Sequence, residues 1–131
     1  MHNTPTPDEL LEVVARYLTE VAMPLLPPAA AFHARVAANA VSVVRRQIAL
    51  GPAQDAAELA RLHALLAPVG GEAGGDLAAA NRALADAIAQ GRLDTGSAEL
   101  IAHLWQTTLD RLAVDQPGYA SYRAEVGPKA R

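Results

Sequence analysis

FHARVAANAVSVVRRQ, residues Phe32 to Gln47, decides the fold class. Turned by 100° per residue, it gathers Phe32, Val36, Ala40 and Val43 on one face, which Leu50 extends, while Arg35, Ser42, Arg45 and Arg46 point away. The stretch reads as an amphipathic helix from about Ala29 to Leu50, closed by Gly51-Pro52, the glycine-then-proline stop signal. Three polar residues intrude on the apolar side. Gln47 lies inside the face, and His33 and Asn39 flank it.

The neighbouring segments read in the same way. Upstream, Thr6-Pro7-Asp8-Glu9 combines a capping residue, a proline at the first helical position and the glutamate of a capping box, and predicts a helix to about Ala22. Its apolar residues Leu10, Val14, Tyr17, Leu18 and Val21 are expected to face inward, with Glu12, Arg16 and Glu20 as a solvated ladder opposite. The connector MPLLPP, Met23 to Pro28, stops this helix because its prolines lack donors and disfavour helical geometry before them.

Downstream, a third helix is expected over about Ala53 to Ala67, with Leu59, Leu62 and Leu66 inward and His63 beside them. Pro68 to Asp76 is a glycine-rich loop. It lacks the lysine and hydroxyl of a phosphate-binding loop and follows a helix instead of a strand, so it reads as a linker. A fourth helix, Leu77 to Gln90, closes at Gly91 and carries Leu77, Leu84 and Ile88 inward with Asn81 at their edge. Ser97 is placed to cap a fifth, whose broad apolar face, including Ile101, Leu104 and Trp105, predicts a central position. The tail breaks at Pro117 and is expected to turn Tyr119 and Tyr122 back onto the bundle.

No segment alternates apolar and polar residues with a period of two over a strand's length. The expected fold is all-α, an antiparallel bundle of about five helices in a single domain over residues 1–131, with flexible termini at 1–6 and 127–131.

Composition narrows the functional classes. The chain of 131 residues is long enough to bury a core, yet only 4% of it is aromatic, so that core must rest on Ala, Leu, Val and Ile. Without cysteine there are neither disulfides nor thiolate metal sites, which favours a cytoplasmic location. A net charge of −3 supplies no field for phosphate backbones, and Arg45-Arg46 is too little for a DNA-reading helix, so no nucleic-acid partner is expected. No apolar run is long enough for a membrane span, and MHNTPTPDELLEV lacks the basic and apolar regions of a secretory signal.

Catalytic constellations are incomplete. His33, His63 and His103 invite a metal reading, but carboxylate bundles use inward Glu-x-x-His pairs on two helices. Here Glu99 and His103 stand four apart on a face shared with Gln106 and Asp110, and read as an exposed helix pair, so neither metal nor cofactor is expected. No serine sits in a Gly-x-Ser-x-Gly elbow, and no catalytic residue is assigned. What remains is a set of polar residues on or near apolar faces: His33, Asn39, Gln47, His63 and Asn81. Leaving such groups buried and unpaired costs on the order of 1 to 3 kcal/mol each, so they need partners. Two readings stand: an inter-helix network that fixes register, and a small polar pocket in which His33 acts as base or ligand donor.

The run DELLEVVARYLTEVAMPLLPPAAAFHARVAANAVSVVRRQIALGP, with GDLAAANRALADAIAQGRLD and HLWQTTLDRLAVDQPGYASY, resembles a bacterial family of helical domains of unknown function. The likeness is most specific at Phe32-His33, Val36, Asn39-Ala40, Arg46 and Asp115-Gln116-Pro117. Members of that family stand alone or extend the carboxy terminus of kinases like the aminoglycoside phosphotransferases, and their genes often lie near acyl-CoA dehydrogenases. The resemblance implies a non-catalytic accessory or interaction domain with a phosphotransferase-like kinase or acyl-CoA dehydrogenase-like partner, and transfers no chemistry residue by residue. Fusion of this kind raises effective concentration without adding chemistry. An Ala-rich bundle also leaves room for a homo-oligomer. The competing expectation is a small-molecule-binding protein or weak enzyme with a pocket around His33 and Asn39.

Overall fold

The structure, a computed structural model, describes residues 4–71 and 74–127. The termini 1–3 and 128–131, and residues 72–73 of the glycine-rich loop, lie outside the described residues. The chain is all-α. Its five α-helices are α1 (Pro7–Arg16), α2 (Pro28–Leu66), α3 (Leu77–Ala89), α4 (Ala98–Asp115) and α5 (Ala120–Val126), and there is no strand among the described residues. Contacts divide the chain into two compact units, Met1–Gly51 and Pro52–Arg131.

The expected stop at Gly51-Pro52 does not end the second helix. α2 continues through it, joining what the sequence suggests are two helices, with Pro52 in its interior. An internal proline removes a donor and costs about 3 kcal/mol, and a glycine about 1 kcal/mol. The helix persists because helix-forming residues flank both positions and because its later turns are buried through Glu58, Leu62 and Leu66.

The first unit is an antiparallel pair made of α1 and the first half of α2. Thr6 opens α1 with a complete capping box: its hydroxyl accepts from the Glu9 N–H, and the Glu9 carboxylate accepts from the Thr6 N–H at 2.7 Å. Past Arg16 the helix widens into π-helical pairing over Tyr17–Ala22, then tightens to a 3₁₀ turn over Met23–Leu25. The Thr19 hydroxyl donates back to the Ala15 carbonyl at 2.9 Å within this irregular turn, and Pro24 offers no donor to continue it.

The two helices meet through small residues. Asp8, Leu11, Ala15, Leu18 and Ala22 are half-buried at alternating spacings of three and four, and so on α2 are Ala31, Ala34, Ala38, Val41 and Arg45, with Ala34 and Ala38 fully buried. Arg45 fixes the antiparallel register. Its guanidinium donates to both Asp8 oxygens at 2.8 and 3.0 Å and to Glu12 at 3.2 Å.

This arrangement corrects two expectations. Arg45 points at α1 instead of away from it. Most of the apolar residues read as inward in the first two helices lie outside the contact: Leu10, Val14, Tyr17 and Val21 are exposed, as are Phe32, Val36, Ala40 and Leu50, while Leu18, within the contact, and Val43 are half-buried. Close approach of two backbones favours alanine, so the larger residues are displaced onto the neighbouring face.

The second unit contains the larger apolar core. Leu62 and Leu66 of α2, Ala80, Leu84 and Ala87 of α3 and Leu100 of α4 pack together, with Leu59, Leu77 and Ile88 against them, as the sequence predicts for α2 and α3. α2 closes at Gly70, which adopts the left-handed conformation that glycine tolerates (φ 66°), while the Gly71 N–H donates to the Leu66 carbonyl. α3 ends similarly at Gly91, with the Arg92 N–H reaching the Ala87 carbonyl at 2.9 Å. Asp76 and Ser97 cap α3 and α4, accepting from the Ala79 and Leu100 N–H groups.

α4 is not central through its apolar face. It buries Leu100, His103 and Val114, with Thr107 and Asp110 half-buried between them, and leaves Ile101, Leu104 and Trp105 exposed. Tyr122 of α5 is half-buried, whereas Tyr119 is half exposed. No helix among the described residues is long and apolar enough to cross a membrane.

Candidate functional site

The five polar residues singled out from sequence fall into both units. In the first, His33, Asn39 and Gln47 are all exposed, spread over four turns of α2. His33 makes an edge-on contact with the Phe32 ring, centroids 5.7 Å apart. Asn39 lines an open cleft of about 410 Å³ between α1 and α2, together with Arg16, Glu20, Arg35 and Ser42; His33 is not part of its lining. Gln47 lies along its own helix, its carboxamide over Gly51, where a Cβ would collide with it.

In the second unit, Nε2 of His63 is 3.3 Å from the Gly74 carbonyl, and Asn81 donates to Glu58 at 2.9 Å and to the Leu77 carbonyl at 3.1 Å. Asn81 is the one member of the set with a buried charged partner. Its anchor, Glu58, is one of two buried polar residues of the chain's described part, and the other is His103.

Those two residues belong to a polar seam that sequence reading missed. Gln54, Glu58 and Arg61 recur on one face of α2, opposite His103, Thr107 and Asp110 on α4. Arg61 donates to the Asp110 carboxylate at 3.2 Å, and Gln54 donates to the Asp110 backbone carbonyl at 3.1 Å. Arg61 Nε, His103 Nδ1 and Thr107 Oγ1 are buried without a hydrogen-bond partner. His103 and Asp110 therefore do not form the exposed face expected with Glu99 and Gln106. The spacings 54-58-61 and 103-107-110 carried the signal, but polar residues at core spacing look like a solvated stripe until a partner helix supplies matching groups.

Burial pulls the His103 imidazole below its ordinary value of 6.5, and the Arg61 guanidinium adds to the effect, while Glu58 opposes it. The ring is thus held neutral. Beside it, Arg61, Leu65, Ala102, His103 and Gln106 line an open cleft of about 420 Å³ on the second unit. Among the described residues, no three His, Asp or Glu side chains gather closely enough to hold a metal ion.

The other departure from an ordinary domain surface is apolar. Tyr17 is 57% exposed, Phe32 59% and Val36 52% in the first unit, and Trp105 55% in the second. Along α1 and the π-helical segment after it, the exposed residues Leu10, Val14, Tyr17 and Val21 follow spacings of four, three and four and form an apolar seam. The polar cleft lined by Arg16, Glu20, Arg35 and Asn39 occupies the opposite flank of the pair, so the first unit is amphipathic as a whole.

The model of one family, described as a domain of unknown function (DUF6285), matches residues 24–119, from the connector before α2 to the start of α5. No curated protein and no solved structure matches the chain.

Proposed function

The chain belongs to the DUF6285 family, a domain of unknown function, and from that premise we propose that it is a non-catalytic helical accessory domain that acts through protein contacts. The observation behind this reading is the apolar surface left by both units: an apolar seam along α1 and the π-helical segment after it, and a face of α4 that exposes Ile101, Leu104 and Trp105 while polar residues are buried behind it. Large contiguous apolar patches on a folded surface usually mark interaction sites. The resemblance described above suggests the partner class, a phosphotransferase-like kinase or an acyl-CoA dehydrogenase-like enzyme, met in the cytoplasm.

Co-expression with a kinase-like or dehydrogenase-like protein encoded beside it tests this. The partner should co-purify with the wild-type chain, and Trp105→Glu or Tyr17→Glu should abolish capture while leaving helical circular dichroism unchanged. Absence of any co-purifying partner, with both proteins soluble, overturns the reading.

A second reading is a small-molecule binder, favoured by the cleft beside Asn39, where Arg35 offers a cationic group to an anionic ligand while Arg16 and Arg45 are ion-paired to Glu12 and Asp8. It predicts a rise in melting temperature with an acyl-CoA, nucleotide or phosphorylated metabolite, and loss of that rise in Arg35→Ala. A flat response across those three classes removes it.

A further inference from the structure

The cleft of about 420 Å³ on the second unit combines apolar walls with a polar group that nothing satisfies. Ala64 and Leu65 of α2 and Ala102 of α4 line it, and so does His103, which is only 3% exposed. Nδ1 of that ring is sealed from solvent without a partner. Nε2 makes no hydrogen bond among the described residues either, yet it is not sealed, so it is the ring nitrogen with access to the cleft.

The inner edge of the ring decides what the outer edge offers. Nδ1 shares the seam with Arg61 Nε, a fixed donor, and Thr107 Oγ1, a hydroxyl able to donate, both of them also sealed and unpaired. A further N–H in that seam would meet donors, whereas a lone pair at Nδ1 gives them an acceptor. Burial and the charge of Arg61 keep the ring neutral above pH 6.5. A neutral imidazole with its lone pair at Nδ1 carries its proton at Nε2. An N–H donor therefore opens into a space bounded largely by alanine and leucine.

We propose that this cleft binds a small uncharged carbonyl compound, an amide or ketone with a short apolar body, whose oxygen accepts from His103 Nε2. Charge argues against an ionic head. The ionic side chains along the cleft are one cation, Arg61, engaged by Asp110 at 3.2 Å, and one anion, Glu99, so together they select neither sign. Gln106 is engaged as well, donating to Asp110 at 2.9 Å. Taking a full charge out of water against alanine and leucine costs far more than taking a carbonyl, which a single N–H compensates. The size also fits, since ligand pockets commonly span roughly 300 to 1,000 Å³ and pair apolar walls with a few placed polar groups. The site lies on the other side of α4 from Ile101, Leu104 and Trp105, and in the other unit from the Asn39 cleft, so it depends on neither reading of the chain's function.

Histidine ring nitrogens report this site directly, because protonated and unprotonated ring nitrogens resonate at well-separated nitrogen-15 frequencies. In the full chain labelled at histidine, the signals missing from His103→Gln belong to His103. Well above pH 6.5 they should place the proton at Nε2. Hexanamide should shift the His103 signals saturably and leave the other histidines in place. Hexanoate and hexylamine, the same chain with an anionic or a cationic head, should bind at least about tenfold more weakly. Ala102→Phe, at an exposed helix position where added bulk fills the cleft without entering a core, should lose the response with circular dichroism unchanged. A proton at Nδ1, no shift with hexanamide, equal binding of all three heads, or a response that survives Ala102→Phe overturns the proposal.

Discussion

At the scale of single residues, capping was legible and burial was not. Thr6, Ser97 and Gly91 do what their positions in the sequence predict, because a cap acts on backbone groups two or three residues away and needs no knowledge of the rest of the chain. Thr6→Ala should therefore cost about 1 kcal/mol in urea unfolding, with no change in association state. His103 is the contrary case. Its place on a polar face of α4 gives no hint that Gln54, Glu58 and Arg61 of α2 stand on the facing turn, and only the fold makes it a buried imidazole. Because its native pKa is lowered, the unfolded chain takes up a proton that the folded chain refuses. The stability held above pH 6.5 should fall as pH drops through and below that value. Denaturant titrations on either side of pH 6.5 should show this loss in the wild type, and a smaller one in His103→Gln. Equal losses in the two would place the acid sensitivity elsewhere.

At the scale of elements, periodicity identified helices correctly and assigned some of their faces wrongly. Along α1 and the π-helical segment after it, two seams run side by side, one of Leu11, Ala15, Leu18 and Ala22 and one of Leu10, Val14, Tyr17 and Val21, and the second carries the larger side chains. The chain buries the first against Ala34 and Ala38. The pattern of apolar residues tells which face avoids water, and does not say whether the cover comes from the same molecule. The continuity of α2 was hidden for a different reason. Gly51-Pro52 is a stop signal in local terms, and only the burial of Glu58, Leu62 and Leu66 beyond it explains why the helix carries on. If the helix is continuous in solution, Pro52→Ala restores a donor for the Ile48 carbonyl and should raise stability by roughly 1 to 3 kcal/mol. No gain in denaturation midpoint would mean that the backbone is already broken at this point.

At the scale of the whole molecule, the all-α class follows from the absence of any two-residue alternation, while the division at Gly51 is not legible in the sequence because Gly51-Pro52 carries only the local signal of a helix end. We propose that residues 1–131 nonetheless fold as one cooperative domain. Melting should then be a single transition, coincident by circular dichroism and calorimetry. Two resolved transitions would separate the units. The lone tryptophan offers an independent view of these events. Trp105 is half exposed on α4 and free of other indoles, so its emission belongs to one place on the surface. A ligand protein settling on α4 should shift that emission to shorter wavelength and shield it from a dissolved quencher. An unlabelled sample in a fluorimeter can thus report a partner's arrival on α4 without any added dye.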